Sequence, residues 1–195
     1  MERDSVFPGP FQCGHCGTKG VPSQSFILLR PDGTGQAGRP LTCMLICPAC
    51  FKPTHISDWS NGRPTRQIPG ILVGDDVQHL PPDVEAVYGE ARKAMTVEAY
   101  TGAAHLCRKI LMNVAVSQGA KEKETFQVYV DYLEQNHYFP KGSMKWVDHI
   151  RHKGNDAAHH LGPVSKADAV ELINFVDVLL KQVFEFPALM QAKKT

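Results

Sequence analysis

A chain of 195 residues with 43% hydrophobic and 21% charged side chains has enough apolar material to bury a core, as one large domain or two small ones. Its net charge of +1 excludes a protein whose main task is to coat nucleic acid, because sequence-independent affinity comes from neutralising many phosphates with Lys and Arg. No apolar stretch approaches the roughly 20 residues that a membrane helix needs, and the opening residues lack a basic region followed by an apolar run. The expected location is therefore the cytoplasm, with no membrane partner.

The expected fold class is α+β, in two units. The first, 1–64, is rich in Gly, Pro, Thr and short apolar runs and reads as small β-structure. FILLR (Phe26 to Arg30) is an expected strand, RPDGTGQAGRP an expected hairpin loop, and LTCMLIC (Leu41 to Cys47) the returning strand. Five of the six cysteines lie in this unit, too uneven a distribution for a disulfide framework. QCGHCG supplies Cys13 and Cys16, and ICPACF supplies Cys47 and Cys50. Two Cys-x-x-Cys pairs separated by a hairpin suit a tetrahedral metal site, because each pair forms a tight knuckle presenting two thiolates. The expectation is one structural zinc ion held by Cys13, Cys16, Cys47 and Cys50, with Cys43, His15 and His55 as substitute ligands. Buried or redox-active thiols are the other reading.

From 65 to 82 the Asn, Gly and Pro content and weak periodicity suggest a linker, partly packed on the helical region after it. Helical periodicity then holds over 83–195. Val84, Val87, Tyr88, Ala91 and Ala94 mark a first helix. Thr96 is the expected N-cap of a second, running through Ala103, Cys107, Ile110 and Val114 to a stop at Gly119. Thr125 caps a third, and Ser143 opens a fourth through Val147 and Ile150 to Gly154. Ser165, with Asp168 three residues on, resembles a capping box opening a fifth helix, through Leu172, Val176 and Val183, before Pro187. About five helices with short connections make a bundle.

The densest polar stretch is RHKGNDAAHH, Arg151 to His160. From Lys141 to Lys166 there are five Lys or Arg, two Asp and four His, so this end of the chain is locally positive. A metal reading would take two ligands from one helix face, His152 with Asp148 or with His149, and His159 or His160 folding back beside them. Helix-end chemistry explains Lys153, Gly154 and Asn155 without any function. Arg108, in LCRKIL, has apolar neighbours one turn away and needs a partner, with Glu85 or Asp156 as the ion-pair reading.

LPPDVEAVYGEARKAM, AYTGAAHLCRKIL, IRHKGNDAAHH and the closing FEFP together resemble the bacterial domain-of-unknown-function 4145 family, whose members often carry Cys-x-x-Cys knuckles ahead of this domain. The resemblance implies a HEPN-like helical bundle, of a kind common in toxin–antitoxin, abortive-infection and restriction-associated systems. Many such bundles are dimeric, metal-independent endoribonucleases. On that footing His159 is the expected general acid or base, Arg151 the clamp on the phosphate, Asn155 an orienting group and Arg108 a second cationic candidate. In active members the Arg and His stand closer together than the seven residues that separate Arg151 from His159 here. The expected function is recognition of RNA, DNA or a defence-system protein partner in antiphage defence or a restriction-associated system. The expected assembly is a homodimer through the helical domain. A toxin-like endoribonuclease is the alternative, and whether the chain is an enzyme stays open.

Overall fold

The computed structural model describes residues 9–30, 40–60, 63–139, 147 and 163–192. The chain divides into two compact units, Met1–Leu72 and Val73–Thr195, and the fold is mixed α+β.

The first unit contains a two-stranded and a four-stranded antiparallel sheet. β1 (Phe11–Gln12) pairs with β2 (Lys19–Gly20), so the first Cys-x-x-Cys forms the turn of its own small hairpin. β3 (Gln24–Leu29), β4 (Pro40–Ile46), β5 (Pro53–Ser60) and β6 (Arg63–Ile68) form a meander in the order β3-β4-β5-β6. The expected FILLR and LTCMLIC strands correspond to β3 and β4, and the second Cys-x-x-Cys is the connection from β4 to β5. Alternation along β4 and β5 turns Cys43, Leu45, Thr54 and Ile56 inward, with Cys43 opposite Ile56 and Leu45 opposite Thr54. With Phe11, Cys13 and Cys47 they make a core of very few side chains.

The segment expected as a linker over 65–82 is largely structured. Its start belongs to β6, which pairs with β5. RPTRQI shows no apolar alternation because it lies on the sheet edge, where pairing with β5 rather than burial holds it. Val73–Pro81 belongs to the second unit, with Val77 buried in the helical core and Val73 and Leu80 packed against it.

Helix α1 (Pro82–Thr96) starts with Pro82 and carries Asp83 and Glu85 in its first turn, where they favour the positive end of the helix dipole. Thr96 closes this helix and does not cap the next. Its Oγ1 donates to the Lys93 carbonyl at 2.8 Å, and α2 (Tyr100–Ser117) opens at Ala99 without a side-chain cap. Thr96 is the last residue of α1, and the N-cap position of α2 falls three residues further on, at Ala99. Buried residues at Ala103, Cys107, Ile110, Leu111 and Val114 give α2 an apolar stripe, and α2 packs against α1, α3 and α4. Gly119, at φ +103°, stops it as expected.

Helix α3 (Phe126–Gln135) is capped by Thr125, whose side chain accepts from the Val128 N–H. Helix α4 (Lys166–Leu180) has the expected capping box: Ser165 Oγ accepts from the Asp168 N–H at 3.2 Å and donates to Asp168 Oδ2 at 2.8 Å. It does not end before Pro187. A π-helical turn at Lys181–Glu185 carries the chain into an α-helical segment Phe186–Ala192. Widening the turn relieves the clash of the Pro187 ring with the carbonyl four residues back, so the helix passes through the proline instead of breaking. The described residues thus hold four main helices. The expected helix from Ser143 to Gly154 lies outside the described residues except for Val147, which is helical and buried. No described helix is long and apolar enough to cross a membrane.

Candidate metal centre and polar network

Both Cys-x-x-Cys segments fold into the same knuckle. The Gly17 N–H donates to the Cys13 carbonyl at 2.9 Å and the Phe51 N–H to the Cys47 carbonyl at 3.0 Å. In each the residue after the second cysteine is left-handed, Gly17 at φ +74° and Phe51 at φ +56°. Glycine adopts this geometry freely, whereas Phe51 does so against the steric preference of an L-residue while 73% exposed. Gly14 is required for a different reason: a Cβ there would lie 2.2 Å from the Pro69 carbonyl oxygen.

The two knuckles bring four sulfurs together. Cys13 Sγ is 3.7 Å from Cys50 Sγ, Cys16 Sγ is 3.7 Å from Cys47 Sγ, and all four lie within 4.8 Å of one another. A tetrahedral thiolate shell with metal–sulfur bonds of about 2.3 Å has sulfurs about 3.8 Å apart, so this arrangement is compatible with a single metal ion. The clustered sulfurs also shift one another's acidity. A hydrogen bond with the Thr18 side chain, with help from its backbone, pulls Cys16 down to about 6. At Cys50 the Lys52 backbone favours the thiolate, but burial and the sulfurs of Cys16, Cys13 and Cys47 outweigh it and push the thiol up to about 12. Four sulfurs this close share negative charge poorly without a cation among them.

Cys43 is buried on β4 and is not one of the four. His15 and His55 serve other contacts: His15 Nε2 lies 3.0 Å from the Pro53 carbonyl, and His55 Nε2 lies 2.6 Å from Thr42 Oγ1. The sixth cysteine, Cys107, is buried in α2, and burial pushes its thiol up to about 12, the state of an inert core side chain.

Of the four residues that the resemblance implicates in phosphate chemistry, Arg151, Asn155 and His159 lie outside the described residues. Arg108 is half-buried on α2, its guanidinium carbon 4.2 Å from the centroid of the Phe126 ring at the start of α3. Burial lowers its pKa, and the stacking gives its charge a structural use in fastening α2 to α3. The expected acidic partner Asp156 lies outside the described residues.

A second polar cluster has almost no signature in the sequence. Asp177 on α4 is buried, and its Oδ1 accepts from Tyr88 Oη and from the Asp75 N–H, each at 3.0 Å. Its Oδ2 accepts from Lys181 Nζ at 2.9 Å, and Lys181 also pairs with Asp75. Arg92 donates to the carbonyls of Val73 and Gly74 at 3.1 and 3.0 Å, and the Gln78 N–H reaches Glu185 at 2.8 Å. These bonds strap residues 73–78 onto the helices. The one local sign was an acid inside the apolar run NFVDVLL. Lys181 is one helical turn on, but Tyr88 and the Asp75 N–H are about ninety to a hundred residues away in sequence, beyond any local pattern.

The four-stranded sheet has unlike edges. The outer strand β6, RPTRQI, carries Pro64, which cannot donate to a further strand, and two arginines. β3, QSFILL, has no charged residue and is exposed along its whole length, with Phe26 at 61% and Leu28 at 57%. Edges of the first kind are guarded against pairing and those of the second are not.

Residues 89–194, more than half of the chain, match the model of a family described as Domain of unknown function (DUF4145). No curated protein and no solved structure matches the chain.

Proposed function

The chain belongs to the DUF4145 family, and from that footing we propose that it is a non-catalytic recognition protein whose β unit docks a protein partner. The helical unit is read as a HEPN-like bundle working in antiphage defence or a restriction-associated system, the setting that the resemblance implies. The bound metal is read as zinc. Four thiolates fill its tetrahedral shell, so no position is left for water or substrate and the ion holds the fold rather than performing chemistry.

The observation that carries the docking reading is β3, an uncharged apolar strand on an unguarded edge. Such an edge recognises another extended chain through its main-chain groups and alternating side chains. It is a poor surface for phosphates, which need positive charge, and that weighs against nucleic acid as the occupant. The endoribonuclease alternative rests on Arg151, Asn155 and His159, since the fourth member of that set, Arg108, has a structural use in its stacking on Phe126.

The test uses the metal-loaded full chain with single-stranded RNA and DNA over a salt series, followed by affinity recovery of partners with wild type and Phe26→Lys. The expected result is intact RNA, no salt-sensitive retention, and an identified protein recovered by wild type and lost in the variant. RNA cleavage abolished by His159→Ala would establish the ribonuclease instead. Salt-sensitive retention would replace the protein partner with nucleic acid.

A further inference from the structure

We infer that the occupant of the β3 edge is a second copy of this chain, and that the two β3 strands pair antiparallel to join two four-stranded sheets into one. This rests on the docking reading above and names its partner.

The first support is the pairing potential of the strand. β3 has β4 on one side and, among the described residues, no strand on the other. Alternate N–H and C=O groups along that side therefore face outward, an arrangement satisfied by another strand. The contrast with β6 matters here: one edge of the sheet holds Pro64, which has no N–H to donate, and the charged Arg66, whereas the other has no charge from Gln24 to Leu29.

The second support is self-complementarity. Two-fold antiparallel pairing about an axis through the sheet keeps each face on its own side, so opposed residues must share parity along the strand. The register with β4 is regular over Gln24–Leu28 and shifts between Leu28 and Leu29. The centre of the regular stretch is Phe26. Pairing about it sets Phe26 opposite Phe26 of the partner subunit, Ser25 opposite Ile27 of the partner subunit, and Gln24 opposite Leu28 of the partner subunit. No charge opposes another, and aromatic pairs directly across an antiparallel ladder are among the stabilising ones.

The third support is an apolar stripe. Phe26 and Leu28 are 61% and 57% exposed, and Met44, opposite Phe26 on β4, is 43% exposed. By alternation these three share one face of the sheet, so pairing about Phe26 joins the stripes of the two copies into one. Strand pairing covers only the flanks of the β3 side chains, less than the roughly 800 Å² that each partner contributes to a standard interface, so a weak dimer is the outcome expected.

The experiment is sedimentation equilibrium of the metal-loaded full chain from below to above about 10 μM. Four variants accompany it: Phe26→Lys, Leu28→Lys, and the exposed helical-unit changes Val178→Lys and Phe186→Lys. Wild type should dimerise, and Phe26→Lys, which sets two like charges opposite each other at the axis, should weaken dimerisation at least about tenfold, with Leu28→Lys, which replaces an apolar contact beside the partner's Gln24 by a charge, weakening it less. The helical-unit variants should match wild type. Metal content and circular dichroism verify that each variant is folded. A photo-crosslinking phenylalanine analogue at position 26 should join β3 to β3. A wild-type monomer overturns the proposal, as does a dimer broken by Val178→Lys or Phe186→Lys and untouched by Phe26→Lys. If the chain is monomeric yet Phe26→Lys loses a different, identified protein, the docking reading stands and the second copy is the wrong partner.

Discussion

The two units solve the same stability problem by different means. Among the described residues the helical unit buries twenty-five core side chains, including Ile110, Leu111, Leu133 and Leu179, whereas the β unit buries six, of which three are cysteines. The helical unit's buried acid, Asp177, has every oxygen engaged, whereas the β unit buries the Thr54 hydroxyl with no hydrogen-bond partner among the described residues. Apolar burial suffices for the helical unit. The β unit has too small a described core to offset its chain entropy, so a metal held by the four cysteines would supply the difference.

The largest expected effect tests that division directly. A chelator that strips the metal, or Cys47→Ser, should unfold the β unit while the helical amides keep their protection in hydrogen exchange. Structural thiolate zinc sites contribute about 10–16 kcal/mol of apparent binding free energy, more than a core of six side chains replaces. Retained β-unit structure without metal would refute the comparison. Ile110→Ala should do the reverse, costing the helical unit about 2–5 kcal/mol by leaving a cavity at a site with no exposure. Metal content and the β-unit signals should not change, and coupled loss of both units would count against independent folding.

Gly74 probes the strap. At φ +75°, with a Cβ 2.5 Å from Tyr88 Oη and 3.0 Å from Ile173 Cγ2, Gly74→Ala should cost the helical unit about 1–3 kcal/mol in a thermal melt. A neutral result would show that residues 73–78 lift away at little cost. In the β unit, Thr54→Val removes the orphan hydroxyl at nearly constant volume and should stabilise the metal-loaded unit by about 1 kcal/mol, read as slower metal loss to a chelator.

The smallest effect is electrostatic. A hydrogen bond and charge from Lys181 hold the Asp75 carboxyl below its ordinary value of 3.8, so its stabilisation is present above that pH and is lost as pH falls through the lowered value. Asp75 and Asp177 raise Lys181 above its ordinary 10.5, so its contribution is complete below that pH and fades only in stronger alkali. Helical-unit stability should therefore decline on acidification below about pH 4, and Asp75→Asn should flatten that decline. An unchanged acid limb in the variant would mean that Asp75 is too exposed to matter.

The sequence by itself determined the features set by neighbouring residues. The spacing of each Cys-x-x-Cys pair forces a knuckle, Thr125 and Ser165 cap their helices through bonds three residues long, and Gly119 stops α2 by its conformational freedom. The tertiary structure decided what depends on distant partners. It turned Thr96 back into α1, carried the last helix through Pro187 on a π-helical turn, and made the start of the supposed linker a strand and residues 73–78 a strap on Asp177. It also left β3 without a neighbour on one side while giving β6 its charges and proline. Local chemistry acts within a turn or two of helix, whereas strand neighbours and buried-acid partners are chosen only when the whole unit closes around them.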